Sequence, residues 1–180
     1  MGMPSAHGTL PWSPAAEHPE LLADATADAV ASCPSAQVAP IDDTLADTAA
    51  FCAAYDVALG SSANCVVVAG RRGDRETYAA VMVLAIHRAD INGVVRRHLD
   101  VRKISFAPRE EATGRTGMEF GGITPIGLPS DWPVLIDRAV LEAGPVVVGS
   151  GLRRSKILLD AADLAALPSA AVLDLASPLA

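Results

Sequence analysis

Two apolar runs, Asn64 to Ala69 and Thr77 to Ile86, flank the polar turn Arg71-Arg72-Gly73-Asp74, and this pattern constrains the fold more than any other. The first run holds three consecutive valines, which favour a pleated strand over a helix. A short turn with glycine between two such runs predicts a β-hairpin over 64–86. The first run, with its consecutive valines, is expected to be a buried strand.

Helix signals surround the hairpin. A helix is expected from Leu21 to Ala31. Thr44-Leu45-Ala46-Asp47 has the spacing of a capping box before an Ala-rich helix reaching about Tyr55, with Leu45, Ala49 and Cys52 toward the core. Asp90 can cap a helix whose Ile91, Val94, Val95 and His98 share a face. Pro108 opens a helix with Glu110 and Glu111 that closes near Gly114. Further strands are expected at 36–41 (an edge limited by Pro40), 103–107, 134–139, 145–148 and 156–159, with Asp160 capping a last helix at 161–167. The whole reads as one α/β domain, a curved mixed sheet with helices around it. Residues 1–20 are an irregular lead-in with four prolines, 21–168 the domain, and 169–180 a tail that trails off after Pro168.

The segment Thr116-Gly117-Met118-Glu119-Phe120-Gly121-Gly122-Ile123-Thr124-Pro125-Ile126-Gly127 carries four glycines and a proline. Such a loop serves either a tight turn or a ligand that approaches the main chain closely. Its free N–H groups could then face that ligand.

Charge is uneven. The first 70 residues hold eight acids and no Lys or Arg, whereas 71–156 hold fourteen basic and ten acidic residues. The basic residues fall in pairs, Arg71-Arg72, Arg96-Arg97, Arg102-Lys103 and Arg153-Arg154. They form either a solvated surface or a local phosphate patch on an acidic protein. The formal net charge of −7 argues against a long duplex footprint but allows contact with one end of a nucleic acid.

Other chemistries find little support. Cys33, Cys52 and Cys65 are odd in number and include no Cys-x-x-Cys pair, so neither a disulfide framework nor a zinc site is expected. No apolar run reaches membrane-spanning length, and no basic stretch followed by an apolar one opens the chain, which points to a cytoplasmic protein. His87 and His98 lack partners at metal-ligand spacing. Gly149-Ser150-Gly151 falls short of a nucleophile elbow, and the glycine loop lacks the lysine of a P-loop. What remains is a site built of main-chain donors, with no metal or organic cofactor.

The chain-wide order resembles the YbaK/ProX family of aminoacyl-tRNA deacylases, which includes the editing insertion domain of bacterial prolyl-tRNA synthetases. The resemblance rests on the valine-rich strand after Ala63-Asn64-Cys65, the hairpin and the helix opening at Asp90. It continues through the loop 116–127, then Leu135-Ile136-Asp137, and finally Arg153 with Ile157-Leu158-Leu159-Asp160. It spans roughly 40–168. It implies hydrolysis of the ester joining a wrong amino acid to a tRNA 3′ end. The partners would be mischarged tRNA and an aminoacyl-tRNA synthetase. The family's glycine-to-proline loop maps onto Gly121, Gly122, Ile123, Thr124 and Pro125. The resemblance further implies that Asn64 orients the ester or ribose, that Asp137 positions water or the substrate amine, and that Ser150 and Gly151 line the pocket rim. Where the family commonly has a lysine, this chain has Asn64, which offers an amide but no charge. The competing readings are a non-catalytic binder of tRNA ends or small ligands, and an unrelated small-ester hydrolase.

Overall fold

A computed structural model describes residues 2–180. The hairpin forms from β3 (Ala63–Arg72) and β4 (Arg75–Leu84), in register from Ala63 opposite Leu84 to Arg72 opposite Arg75. Each strand is ten residues long, so both arginines of the expected turn lie in β3. The reversal falls on Gly73-Asp74, with Gly73 at φ +60°.

Three sheets are assembled around this hairpin. A two-stranded pairing joins β5 (His87–Ala89) to β11 (Ala176–Pro178). The five-stranded sheet has the order β10-β7-β4-β3-β6, with β6 at Lys103–Phe106, β7 at Val134–Asp137 and β10 at Ala170–Leu173. Here β7 runs parallel to β4, and β10 parallel to β7. The four-stranded sheet has the order β1-β2-β9-β8, with β1 at Ser13–Pro14, β2 at Gln37–Pro40, β8 at Pro145–Gly149 and β9 at Ser155–Asp160. The helices are short: α1 (Asp24–Ala29), α2 (Thr48–Tyr55), α3 (Arg96–His98), α4 (Arg109–Thr116), α5 (Arg138–Glu142) and α6 (Ala161–Ala165).

The two large sheets share one core. Met82 and Ile136 from the first meet Val38, Val146, Val148, Ile157 and Leu159 from the second. On the far face of the five-stranded sheet, Val68, Val81 and Leu135 pack with Val95, Leu99 and Leu175. Adjacent residues such as Val81 and Met82 thus serve opposite cores, which is why the run lacks polar alternation. Phe51 and Cys52 of α2 cover Val147 and Leu158 on the outer face of the four-stranded sheet.

The structure corrects several expectations. The tail is not loose: β10 forms an edge of the five-stranded sheet, and Leu175 is fully buried. The lead-in is not wholly irregular, because β1 pairs with β2 and Ala15 is buried. β2 is therefore an inner strand, flanked by β1 and β9. Strands of two to four residues leave too short a period to detect. Asp47, not Thr44, caps α2, accepting from Ala49 N and Ala50 N; Phe51 turns inward while Ala49 is exposed. Leu99 takes the buried place expected for His98, since a π-type turn over Ile91–Val95 shifts the helical phase. α4 continues past Gly114 to Gly117, whose φ of +68° ends it. The strand expected to reach Ala139 stops at Asp137, which caps α5.

Candidate active site

A cavity of about 460 Å³ opens between the start of β3, the N-terminus of α2, the glycine loop and the facing ends of β8 and β9. Asn64 stands in its wall on β3, and Thr48, the first residue of α2, donates from Oγ1 to Asn64 Oδ1 at 2.7 Å. That contact occupies the amide oxygen and leaves the amide nitrogen to serve a ligand. Asp47 is the only carboxylate residue on the cavity wall among the described residues, and its Oδ1 caps α2.

Lys156 of β9 supplies the charge. Its side chain is buried at 8% exposure, its Nζ donates to Ala46 O at 3.2 Å, and it lies 5.3 Å from the centroid of the Phe51 ring. No carboxylate forms an ion pair with it among the described residues. Burial pushes its amine below the usual lysine value; Arg153 adds to this, while Cys52 and Asp47 oppose it. A buried ammonium with one carbonyl partner is costly unless something else completes its shell. The cavity offers room for an anionic or carbonyl-bearing ligand to do so.

The glycine loop is fastened to the turn between β8 and β9. Glu119 N donates to Gly151 O at 2.8 Å, and Gly151 N to Gly122 O at 2.7 Å. Arg153 N donates to Glu119 Oε2 at 2.7 Å, and Arg153 Nη1 to Phe120 O at 3.0 Å. The glycine pair has its reason here. A Cβ on Gly122 would stand 2.6 Å from the Leu152 backbone, and one on Gly121, at φ +86°, would stand 2.5 Å from Arg153 Nη1. The close approach is therefore to the protein's own chain, not only to a ligand. Gly121 and Ile123 border the cavity, and their N–H groups have no hydrogen-bond partner among the described residues.

Asn64, Gly121 and Ile123 are brought together; the other expected site residues stand behind them. Gly122 is buried in the clamp. Thr124 and Pro125 are buried, Thr124 N reaching Met118 Sδ at 3.5 Å. Ser150 is buried, its Oγ 2.7 Å from Ser155 Oγ, and Gly151 gives both its peptide groups to the loop. Asp137 does not border the cavity. Its carboxylate accepts from Leu175 N and Ala176 N at 3.0 Å each and from Ala139 N at 3.3 Å, so three backbone donors occupy it. His87 Nδ1 lies 3.8 Å from the same carboxylate.

Sequence reasoning missed Lys156, Thr48, Phe106, Arg109 and Phe120, all of which border the cavity. Only Lys156 left a trace: a lysine in an otherwise apolar strand, where that residue is seldom buried without purpose. Cys65 also borders the cavity. Its side chain packs on the main core, and burial pushes its thiol up to about 12. A thiol in that state is a poor nucleophile near neutrality. Cys65→Ala is expected to keep kcat/KM close to wild type in a hydrolysis assay; loss of all activity would make Cys65 the nucleophile.

Among the described residues no helix is long and apolar enough to cross a membrane, and no group of three or more His, Cys, Asp or Glu could hold a metal ion.

The chain belongs to the aminoacyl-tRNA editing domain family, whose match covers residues 42–167. Its fold is shared with a solved structure described as a candidate trans-editing enzyme for prolyl tRNA synthetase: 22% identity, TM-score 0.73, covering 86% of this chain and 96% of that one. A hypothetical protein of known structure is similar at 20% identity and TM-score 0.70, covering 79% and 91% of the two chains. A scaffold protein used for computational epitope grafting matches at 21% identity and TM-score 0.73, covering 86% and 97%.

Proposed function

We propose that this chain hydrolyses the ester of mischarged aminoacyl-tRNA, acting in trans to a synthetase in the cytoplasm. The observation that carries the reading is the buried Lys156 ammonium, without a carboxylate partner, facing the cavity bordered by the glycine loop and Asn64. In the reaction a water oxygen bonds to the ester carbonyl carbon. The carbonyl oxygen gains negative charge, the carbon–oxygen bond to the ribose breaks, and the ribose oxygen takes up a proton. Lys156 and the free N–H groups of Gly121 and Ile123 are suited to the developing oxyanion. The Asn64 amide nitrogen is suited to the ribose or the substrate carbonyl. No histidine borders the cavity among the described residues, so the water must be activated by the substrate's own groups or by a weak base.

Lys156 also bears on the family lysine that Asn64 replaces. The charge is supplied here from β9 and not from the start of β3. This favours a working enzyme over a binder that has lost its catalytic cation. Single-turnover deacylation across a panel of mischarged tRNAs tests the reading. At least one substrate is expected to be hydrolysed well above its spontaneous rate, and KM is expected to rise with salt as phosphate contacts are screened. Spontaneous rates throughout, with tRNA still bound, would favour the binder. Hydrolysis of small esters alone would favour an unrelated esterase.

A further inference from the structure

The chain has three phenylalanines; two border this cavity, and the third is buried under one of its lining residues. Phe51 lies beneath Lys156, while Phe106 and Phe120 stand at the mouth. Phe106 is 66% exposed and Phe120 is 47% exposed, and they are the only exposed large aromatic residues among those described. Neither belongs to a core cluster. Phe106 ends the edge strand β6, and Phe120 sits at the tip of the clamped glycine loop. The Arg109 guanidinium, at the first position of α4, lies 4.4 Å from the Phe120 ring centroid and also borders the cavity.

Exposed rings facing a shared opening leave apolar area in water that a folded chain has no reason to keep there. A ring beside an exposed arginine is the pairing by which proteins hold unpaired nucleotides: the base stacks on the ring and the phosphate meets the cation. We propose that Phe106 and Phe120 form a stacking rim for the unpaired nucleobases at the tRNA 3′ end, with Arg109 on the connecting phosphate. The inference rests on tRNA being the substrate. It assigns to the rim a role separate from the chemistry within: the rim holds the strand, and the interior holds the ester. Base–aromatic stacking tolerates any base, so the rim would fix the position of the strand end without reading its sequence.

The test measures binding alone and so does not depend on catalysis. Deacylated bulk tRNA and the same tRNA trimmed of its last three nucleotides are titrated against wild type, Phe120→Ala, Phe106→Ala and Phe120→Trp, each checked for an unchanged melting temperature. Wild type is expected to bind trimmed tRNA more weakly than intact tRNA. Each alanine variant is expected to lose about five- to 150-fold in affinity for intact tRNA, the range for one stacked base. It is also expected to lose most of its sensitivity to trimming, and Phe120→Trp should restore both. Alanine variants that bind intact tRNA as wild type does, or a wild type indifferent to trimming, would overturn the rim. Failure of hydrolysis with this binding pattern intact would count against the enzyme reading and leave the rim standing.

Discussion

Lys156→Met is expected to lower kcat/KM by on the order of 10²- to 10³-fold, the scale of losing one oxyanion donor, while making the folded protein more stable. The two effects share a cause. The Lys156 ammonium is buried with a single carbonyl partner and an aromatic ring beneath it. Its amine is pushed below the usual lysine value, chiefly by burial. Between the lowered folded value and the ordinary unfolded value, the unfolded chain binds more protons, so stability rises with pH across that window. Below that window, where the lysine is charged in both states, the charge costs stability. Replacing buried ion pairs by apolar side chains of similar size returns up to about 4 kcal/mol, and a gain on the order of 1–4 kcal/mol is expected for this unpaired charge. For a chain of this size each kcal/mol is worth roughly 2–4 °C in Tm. A thermal melt and single-turnover kinetics on the same preparation read both effects. Lys156→Met with full activity would remove Lys156 from the mechanism. A lower Tm would mean that the ammonium is better solvated than its surroundings indicate. Adding Asn64→Lys to Lys156→Met should recover part of the lost rate if the cavity needs a cation but not one particular strand to carry it.

Asp137→Ala is expected to act through stability. Its carboxylate accepts from the backbone N–H groups of Leu175, Ala176 and Ala139, and it is 3% exposed. The buried Leu175 donor left without an acceptor costs about 1–3 kcal/mol and the part-buried donors of Ala176 and Ala139 add to it, so a total of about 3 kcal/mol is expected. That corresponds to a drop of roughly 6–12 °C in Tm. Hydrogen exchange should rise first at Leu175 and Ala176, where β10 leads into β11. The folded fraction should keep its kcat/KM. An unchanged Tm with a selective loss of rate would return Asp137 to the chemistry.

These two residues show what the sequence could and could not disclose. The hairpin was legible because its two apolar runs are long and their turn carries its own glycine. The glycine loop was legible as a special segment, but not as one held by Leu152 and Arg153. Asn64 is legible from its own surroundings only as the start of a strand; its place in the site comes from the family resemblance. Lys156 was missed, because its role depends on β9 facing β3 and α2 across a cavity, a relation that no local pattern encodes. Asp137 enters as a site residue only through the family resemblance, which carries no information about what its carboxylate touches. Two of its three backbone partners lie nearly forty residues on, in a tail too short in period to be recognised as strand.

The pairing of β2 with β9 sets the order in which this molecule can be completed. Val38 lies opposite Ile157, and Ala39 opposite Lys156. During synthesis β2 must therefore wait for more than a hundred further residues before its inner partner exists, with only the two-residue β1 beside it. Contacts of such long sequence separation slow folding and leave strand edges open meanwhile. The strand that closes this gap also carries the buried cation. Lys156 Nζ also donates to Ala46 O, in the segment that follows β2, so the longest-range pairing of the four-stranded sheet and the seating of the buried cation involve the same two stretches of chain.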